Sequence, residues 1–452
     1  MVKDRTGANT TKIKFMKSSK IFEPEVLLDE QVSTIKVLSD STYKITISEV
    51  SEPSPLTRNL SNFGWGTVFA QPGDSLHIVI EKPIDEKKQP VIKYIGKNAA
   101  NYNIGHLLDM IDKKVVFTDT PKTYTELTQQ LDKITKHNKE TINSYLLSNH
   151  ALLADVLHGL NSIKTANEIY YGLEKFKIKL SESDYSHFIK TYLPSVAKEK
   201  NSLLLSTNQY VYSLKQVLAI INEHENPSNN FTKKMELIRS YFSGLSADLL
   251  LANSYYRFTT NNADKEGLAL SNNWYQANKG KLKDDAYNHF IEIGYARVNK
   301  INKPWPAEVL NVNFYDSHNK SIKLRDILAK HKGKTLVLDH WATWCGPCID
   351  EFEVGKAVVK ELEEKGIEFI YLSIDVKSAE KKMNELVKTY QLDSYRLDEK
   401  GAQIYKNYIS LNYVPRYLLI NEKGLLSNTN LPRPSSNFNF KQMLNNSLQN
   451  TK

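Results

Sequence analysis

Within HWATWCGPCID, residues 340–350, stand both cysteines of a 452-residue chain, Cys345 and Cys348. Two thiols with only Gly346 and Pro347 between them can close a small disulfide ring, which suits reversible two-electron chemistry. The same pair could instead be half of a zinc site, a haem anchor or two core residues. A structural zinc site takes about four ligands, and no second cysteine pair exists even with His331 and His340 nearby. Haem attachment needs histidine directly after the second cysteine, where Ile349 stands. Two core cysteines would leave both the spacing and the Gly-Pro filling to coincidence. The redox reading accounts for all of these features.

Such a pair works when a strand delivers it to the start of a helix. LVLDHWA (336–342) reads as a buried strand and 347–364 as helical. Cys345 then sits where free N–H groups and the helix dipole favour a thiolate. Pro347 fits the first turn, where its missing N–H costs nothing. Cys348, one turn further in, is more buried and holds its proton longer. This asymmetry predicts that Cys345 attacks a substrate disulfide and that Cys348 resolves the mixed disulfide.

The elements that follow alternate. IEFIYLSID (367–375) is a strand, AEKKMNELVKTY (379–390) a helix and RYLLINEKG (416–424) a strand entering a turn. Strand, helix, strand, helix, strand predicts an α/β sheet with crossover helices. Upstream, the prolines of INKPWPAEV (301–309) mark a boundary. Residues 106–303 carry helical spacing, as in Tyr124, Leu127, Leu131 and Ile134, or Leu214, Val217, Leu218 and Ile221. Residues 21–105 alternate with period two: TIKVL and YKITI flank the turn-rich SDS, and PGDSLHIVIE and PVIKYIG supply further strands. The expected organisation is therefore a polar tail at 1–20, a small antiparallel β domain at 21–105, an α-helical domain at 106–303 and an α/β domain at 304–452.

Composition narrows the function classes. The chain of 51.8 kDa is too long for one ordinary core, and 40% hydrophobic with 25% charged residues fits a folded protein. The net charge of +9 is spread along the sequence, which describes a solvated surface better than a nucleic-acid stripe. No apolar run approaches the roughly 18–20 residues of a membrane span. The start, MVKDRTGANTTKIKF, lacks the apolar centre of a secretory signal, so the expectation is either a cytosolic protein or an export segment absent from this chain. Two cysteines allow no disulfide framework.

KTLVLDHWATWCGPC resembles the active-site strand and loop of thioredoxin-fold proteins. From PAEVLNVNFYDSHNKSIKLRDIL through CIDEF, the sequence is similar to the TlpA/ResA-like branch, bacterial thiol-disulfide oxidoreductases of the cell envelope. The likeness covers about 304–452. PGDSLHIVIE and IKYIGKNAANYN weakly resemble the β domain preceding such modules in multidomain envelope proteins.

The resemblance implies roles for further residues. Asp339, six residues before Cys345, matches the buried acid of thioredoxins and would accept the proton of Cys348 during resolution. Glu351, three residues after Cys348, matches an acidic residue of the ResA-like pattern, although an acid is also ordinary in a first helical turn. Trp344 is expected to shield the disulfide, and with Gly346 and Pro347 to form the rim a substrate meets. Val414–Pro415 stands where the fold places a cis-proline facing the cysteines, with the Val414 backbone free to pair with an extended substrate and Arg416 beside it as a selector. Two departures matter. Glu353 replaces a helix-kinking proline, and Leu338 and Ala342 stand where peroxiredoxins carry the proline and threonine of P-x-x-x-T-x-x-C, so peroxidase activity is not expected.

The expected function is dithiol–disulfide exchange on protein disulfides, in the reducing direction. The alternative is a redox-switched binding or scaffold protein without turnover. No cofactor or metal is expected besides the Cys345–Cys348 pair. The partners implied are protein substrates and an envelope electron donor, with homo-oligomerisation through the first 300 residues, and the location implied is the bacterial periplasm or cell envelope, with or without a membrane anchor.

Overall fold

Every residue from Thr335 to Trp341 is buried, and strands buried on both faces require helices above and below the sheet. The computed structural model, which describes strand segments between residues 2 and 60 and residues 64–81, 91–112, 115–148, 153–197, 208–261, 265–411 and 413–449, supplies them. The C-terminal elements are β1 (Asn313–Tyr315), β2 (Ser321–Lys323), α1 (Leu324–Lys330), β3 (Thr335–Trp341), α2 (Gly346–Val354), α3 (Lys356–Glu364), β4 (Ile367–Ser373), α4 (Glu380–Tyr390), β5 (Ser394–Leu397), α5 (Ala402–Ile409), β6 (Arg416–Ile420), β7 (Leu426–Leu431) and α6 (Phe438–Gln449). They build one mixed sheet in the order β2-β1-β5-β4-β3-β6-β7. Strand β3 is central, parallel to β4 and antiparallel to β6.

Period-two alternation sends successive β3 residues into two cores. Leu336 and Leu338 join Ile370, Leu372, Leu418, Tyr405 and Ile409 on the α5 side. Val337 and Trp341 join Phe369, Tyr417, Leu419 and Cys348 on the side of α2, α3, α4 and α6. The active-site loop thus leaves the centre of the sheet between two packed layers.

The helix read as continuous over 347–364 is broken at Gly355, between α2 and α3. A Cβ on Gly355 would lie 2.8 Å from the Glu351 carbonyl and 3.0 Å from Pro434 Cβ. The break falls two residues beyond Glu353, so the missing proline there does not yield a straight helix.

The sequence boundary at 304 is not where the packing divides. Contacts separate a first unit ending at Leu251 from a second running from Ala252 to the end of the chain. The prolines at 304 and 306 follow the helix Asp285–Val298 without separating its end from the α/β sheet. Trp305 Nε1 donates to the Gly424 carbonyl at 3.0 Å, and Asn302 N donates to the Leu426 carbonyl at 2.8 Å.

In the first unit the predicted strands pair as read: Ile35 faces Ile45 in the TIKVL–YKITI hairpin, whose turn at 40–41 lies outside the described residues. Two corrections apply. The 1–20 region is not simply a tail, because Ile13–Lys17 pairs with Ser54–Leu60 and Val2–Asp4 runs parallel to Leu76–Glu81. That second pairing also makes the sheet mixed, not purely antiparallel. In IKFMK the alternation of Ile13 and Phe15 is masked by lysines, and the partner strand lies some 40 residues away, so no local signal reveals it. Asp74 of the PGD turn accepts from Asn98 Nδ2 at 2.7 Å and from the Tyr102 hydroxyl at 2.8 Å, tying the two upstream motifs together. Helices follow from Gly105, and Leu127, Leu131, Leu214, Val217 and Ile221 are buried, as their spacing requires.

Candidate active site

Strand β3 ends at Trp341, and four residues later Cys345 caps α2. Its Sγ accepts from the Cys348 backbone N–H at 3.2 Å, with Pro347 in the first turn. Cys345 and Cys348 are joined by a disulfide. Cys348 is 1% exposed and Cys345 4%. Around them Trp344, Gly346 and Pro347 are exposed, Trp344 at 67%. A thiolate on Cys345 would receive the N–H of Cys348 and the positive end of the helix.

The loop is fixed by an acid that sequence reasoning left unassigned. Buried Asp375 accepts from the Thr343 backbone N–H and the Thr343 hydroxyl, each at 2.9 Å, and from the Ser373 hydroxyl at 2.8 Å. Lys382 Nζ donates to the Thr343 carbonyl at 2.8 Å. The available signal was position: Asp375 follows the carboxyl end of a parallel strand, where sites of α/β proteins gather.

Asp339 alternates with Val337 and Trp341 and so shares their face of the sheet, the face packed against the cysteines. Its neighbours in register are Tyr371 on β4 and Tyr417 on β6. Asp339 is 4% exposed, and its Oδ1 has no hydrogen-bond partner among the described residues. Burial holds its carboxyl well above the usual range, and the Glu351 carboxylate adds to the effect. Glu351 is itself buried on α2, accepting from the Ser435 hydroxyl at 2.5 Å and the Ser435 N–H at 3.0 Å. It is therefore more than a solvated first-turn acid. Its carboxylate clamps α2 to the segment before α6.

The Val414–Pro415 peptide bond is cis, and Val414 packs against the cluster containing both cysteines. Arg416 requires correction. It is 1% exposed, with Nε donating to the Thr429 carbonyl at 2.7 Å and Nη1 to the Tyr413 hydroxyl at 3.0 Å. Strand alternation turns its side chain away from the cysteines, so it positions Tyr413 and does not meet a substrate. His340 lies on that opposite face, between the Tyr405 hydroxyl at 2.8 Å and the Arg416 carbonyl at 3.1 Å. Burial pushes its pKa down to about 4, which leaves it neutral.

Residues 333–426 match a family model described as thioredoxin-like. Over 117 residues the chain is 33% identical to a thiol-disulfide oxidoreductase ResA of Bacillus cereus, covering 26% of this chain and 64% of that protein. ResA of Bacillus subtilis is 28% identical over 118 residues, covering 26% of this chain and 62% of that protein. The chain thus spans somewhat under two thirds of the length of these relatives. A thiol:disulfide interchange protein from Bacteroides sp. aligns in structure at 17% identity, over 30% of this chain and 86% of that one, with a TM-score of 0.25. Among the described residues no helix is long and apolar enough to cross a membrane. With its CxxC pair at the head of α2, the C-terminal part of this chain is a thioredoxin-like domain related to the thiol-disulfide oxidoreductases.

Proposed function

We propose that the protein reduces disulfides of other proteins by thiol–disulfide exchange. The observation that carries this reading is the Cys345–Cys348 disulfide at the N-terminus of α2, with Cys345 Sγ beside the exposed rim and accepting the Cys348 N–H. In the reduced state the Cys345 thiolate attacks one sulfur of a substrate disulfide, forming a mixed disulfide and expelling one substrate thiolate. Cys348, deprotonated by Asp339, then attacks Cys345 Sγ. The second substrate thiolate leaves, and the Cys345–Cys348 disulfide forms. Two electrons pass from the enzyme dithiol to the substrate, and the two thiol protons end on the substrate sulfurs directly or through solvent. A dithiol donor must regenerate the reduced pair.

Trp344, Gly346 and Pro347 form the exposed surface a substrate meets, and the Val414 backbone, next to Pro415, offers a pairing edge for an extended chain. The chemistry needs no cofactor beyond the disulfide. The compartment we propose is the bacterial cell envelope, a reading that rests on the ResA resemblance. The first 300 residues would select or orient partners. Turnover of insulin disulfides with excess dithiothreitol tests the central reading. Continued reduction over many equivalents is expected, whereas reaction of one equivalent followed by a stall would show a redox switch.

A further inference from the structure

Beside Pro415 the surface opens into a pocket of about 280 Å³, lined among others by Tyr413, Pro415, Tyr417, Asn430, Arg433 and Met443. That volume falls below the roughly 300–1,000 Å³ of drug- or cofactor-sized sites and suits a single amino-acid side chain. The pocket adjoins the redox centre through its own walls. Tyr417 and Leu431 belong to the cluster that contains Cys345 and Cys348, and Met443 and Val414 pack against that cluster. A chain laid along Val414–Pro415 with a sulfur at Cys345 therefore passes its neighbouring side chain over this opening.

The lining has a definite polarity. Tyr417 lines the pocket but is 1% exposed, and its hydroxyl is covered. Burial, aided by Asp339 and Glu351, keeps its phenol protonated, so it adds no negative charge to the lining. Arg433 is exposed, and it is the one fully charged side chain among the lining residues. Tyr413 does not compete for a ligand's acceptor, because its hydroxyl donates to Asn430 Oδ1 at 3.0 Å while accepting from buried Arg416. A guanidinium, with no carboxylate among the described lining residues, makes the pocket a receptor for an anionic acceptor. The buried Glu351 carboxylate opposes a full charge at the floor, which places the ligand carboxylate nearer Arg433 at the mouth.

Building on the exchange reaction proposed above, we infer that this pocket selects protein disulfides whose cysteine is flanked by an acidic side chain, held by Arg433. Full-length protein would be assayed on disulfide-linked peptides differing only in whether Glu, Gln or Lys flanks the cysteine, with neutral 2-hydroxyethyl disulfide as a further substrate. The wild type should prefer Glu over Gln in kcat/KM by roughly fivefold, the scale of one partly exposed charged hydrogen bond, and Lys should be poorest. Arg433→Gln should abolish the ranking, and Arg433→Glu should invert it. The readout is the ratio between peptides within one variant, which a general loss of folding or rate does not move. Equal kcat/KM for the three peptides, or a ranking that survives Arg433→Gln, would overturn the inference while leaving the exchange reading intact. No turnover even of 2-hydroxyethyl disulfide would overturn both.

Discussion

Asp339 and Tyr417 face each other across the β3–β6 ladder, and among the described residues neither Asp339 Oδ1 nor the Tyr417 hydroxyl has a hydrogen-bond partner. Both lie in the layer that carries the cysteines, with Tyr371 on the other side of Asp339. A carboxyl in such apolar surroundings, with a second acid in range, has its pKa raised well above the usual carboxylate range. That is the property a proton acceptor for a thiol needs, since a strongly acidic carboxyl would not take the proton.

Asp339→Asn should stabilise the oxidised protein in a pH-dependent way. A native pKa above the unfolded value near 3.9 means that the group's favourable contribution is fully present below about pH 4. It is lost as pH rises toward the native pKa. Above that point the loss is constant, at about 1.4 kcal/mol for every pH unit that separates the native from the unfolded pKa. Urea unfolding across pH 3–9 should therefore show the variant gaining on the wild type from about pH 4 upward. A difference independent of pH would show that the carboxyl does not titrate abnormally.

The same substitution should slow resolution more than attack. In stopped-flow reduction of a disulfide peptide, the mixed disulfide should accumulate in Asp339→Asn, with a rate deficit of roughly 100-fold, the low end of what a positioned base contributes. Equal slowing of both steps would assign Asp339 a purely structural part.

Glu351→Gln keeps an oxygen for the Ser435 hydroxyl but removes the charge that helps hold Asp339 neutral. The pH midpoint of resolution should move to lower pH. An unchanged midpoint, with Asp339→Asn still slow, would remove Glu351 from the proton chemistry and leave it as the clamp between α2 and Ser435.

Legibility in the sequence depends on how far apart along the chain the partners lie. Cys345, Cys348 and the preceding buried strand are contiguous, so spacing alone exposes the redox pair and the fold around it. Asp339 is on the same strand and can be placed by counting. Tyr417, Asp375 and Ser435 come from β6, the end of β4 and the approach to α6, and only the folded sheet brings them to the loop and helix of the cysteines. Arg416 is misplaced by sequence reading because proximity to Pro415 along the chain says nothing about which face of β6 it takes. The break at Gly355 is set by close approach to Pro434, another long-range contact. The strand at Ile13–Lys17 is hidden for a related reason: its warrant is a partner at 54–60.

Asp375→Ala should free the loop that presents the cysteines. It removes three hydrogen bonds to a carboxylate and leaves the Thr343 N–H buried. Bonds to charged groups are worth about 1.5–3 kcal/mol each but do not add, so a loss of roughly 2–4 kcal/mol in chemical unfolding is expected. A loss under about 0.5 kcal/mol, the scale of an ordinary surface change, would mean that Asp375 does not hold the loop.

The division of labour between the sulfurs follows from their places on α2. Cys345→Ser should abolish exchange, while Cys348→Ser should still attack and trap a mixed disulfide. Alkylation of the reduced protein at mildly acidic pH should label Cys345 first, and preferential labelling of Cys348 would reverse the assignment.

The direction of the reaction is the central claim, and the reduction potential of the Cys345–Cys348 pair tests it most directly. Strong oxidants stabilise their reduced form, whereas Gly-Pro between the cysteines resembles the reducing members of the fold, and a buried acid under the loop gives a thiolate no extra support. Glutathione titration of the full-length protein should yield a potential near that of thioredoxin, about −270 mV; a value near the roughly −120 mV of a strong oxidase would contradict the reductase reading.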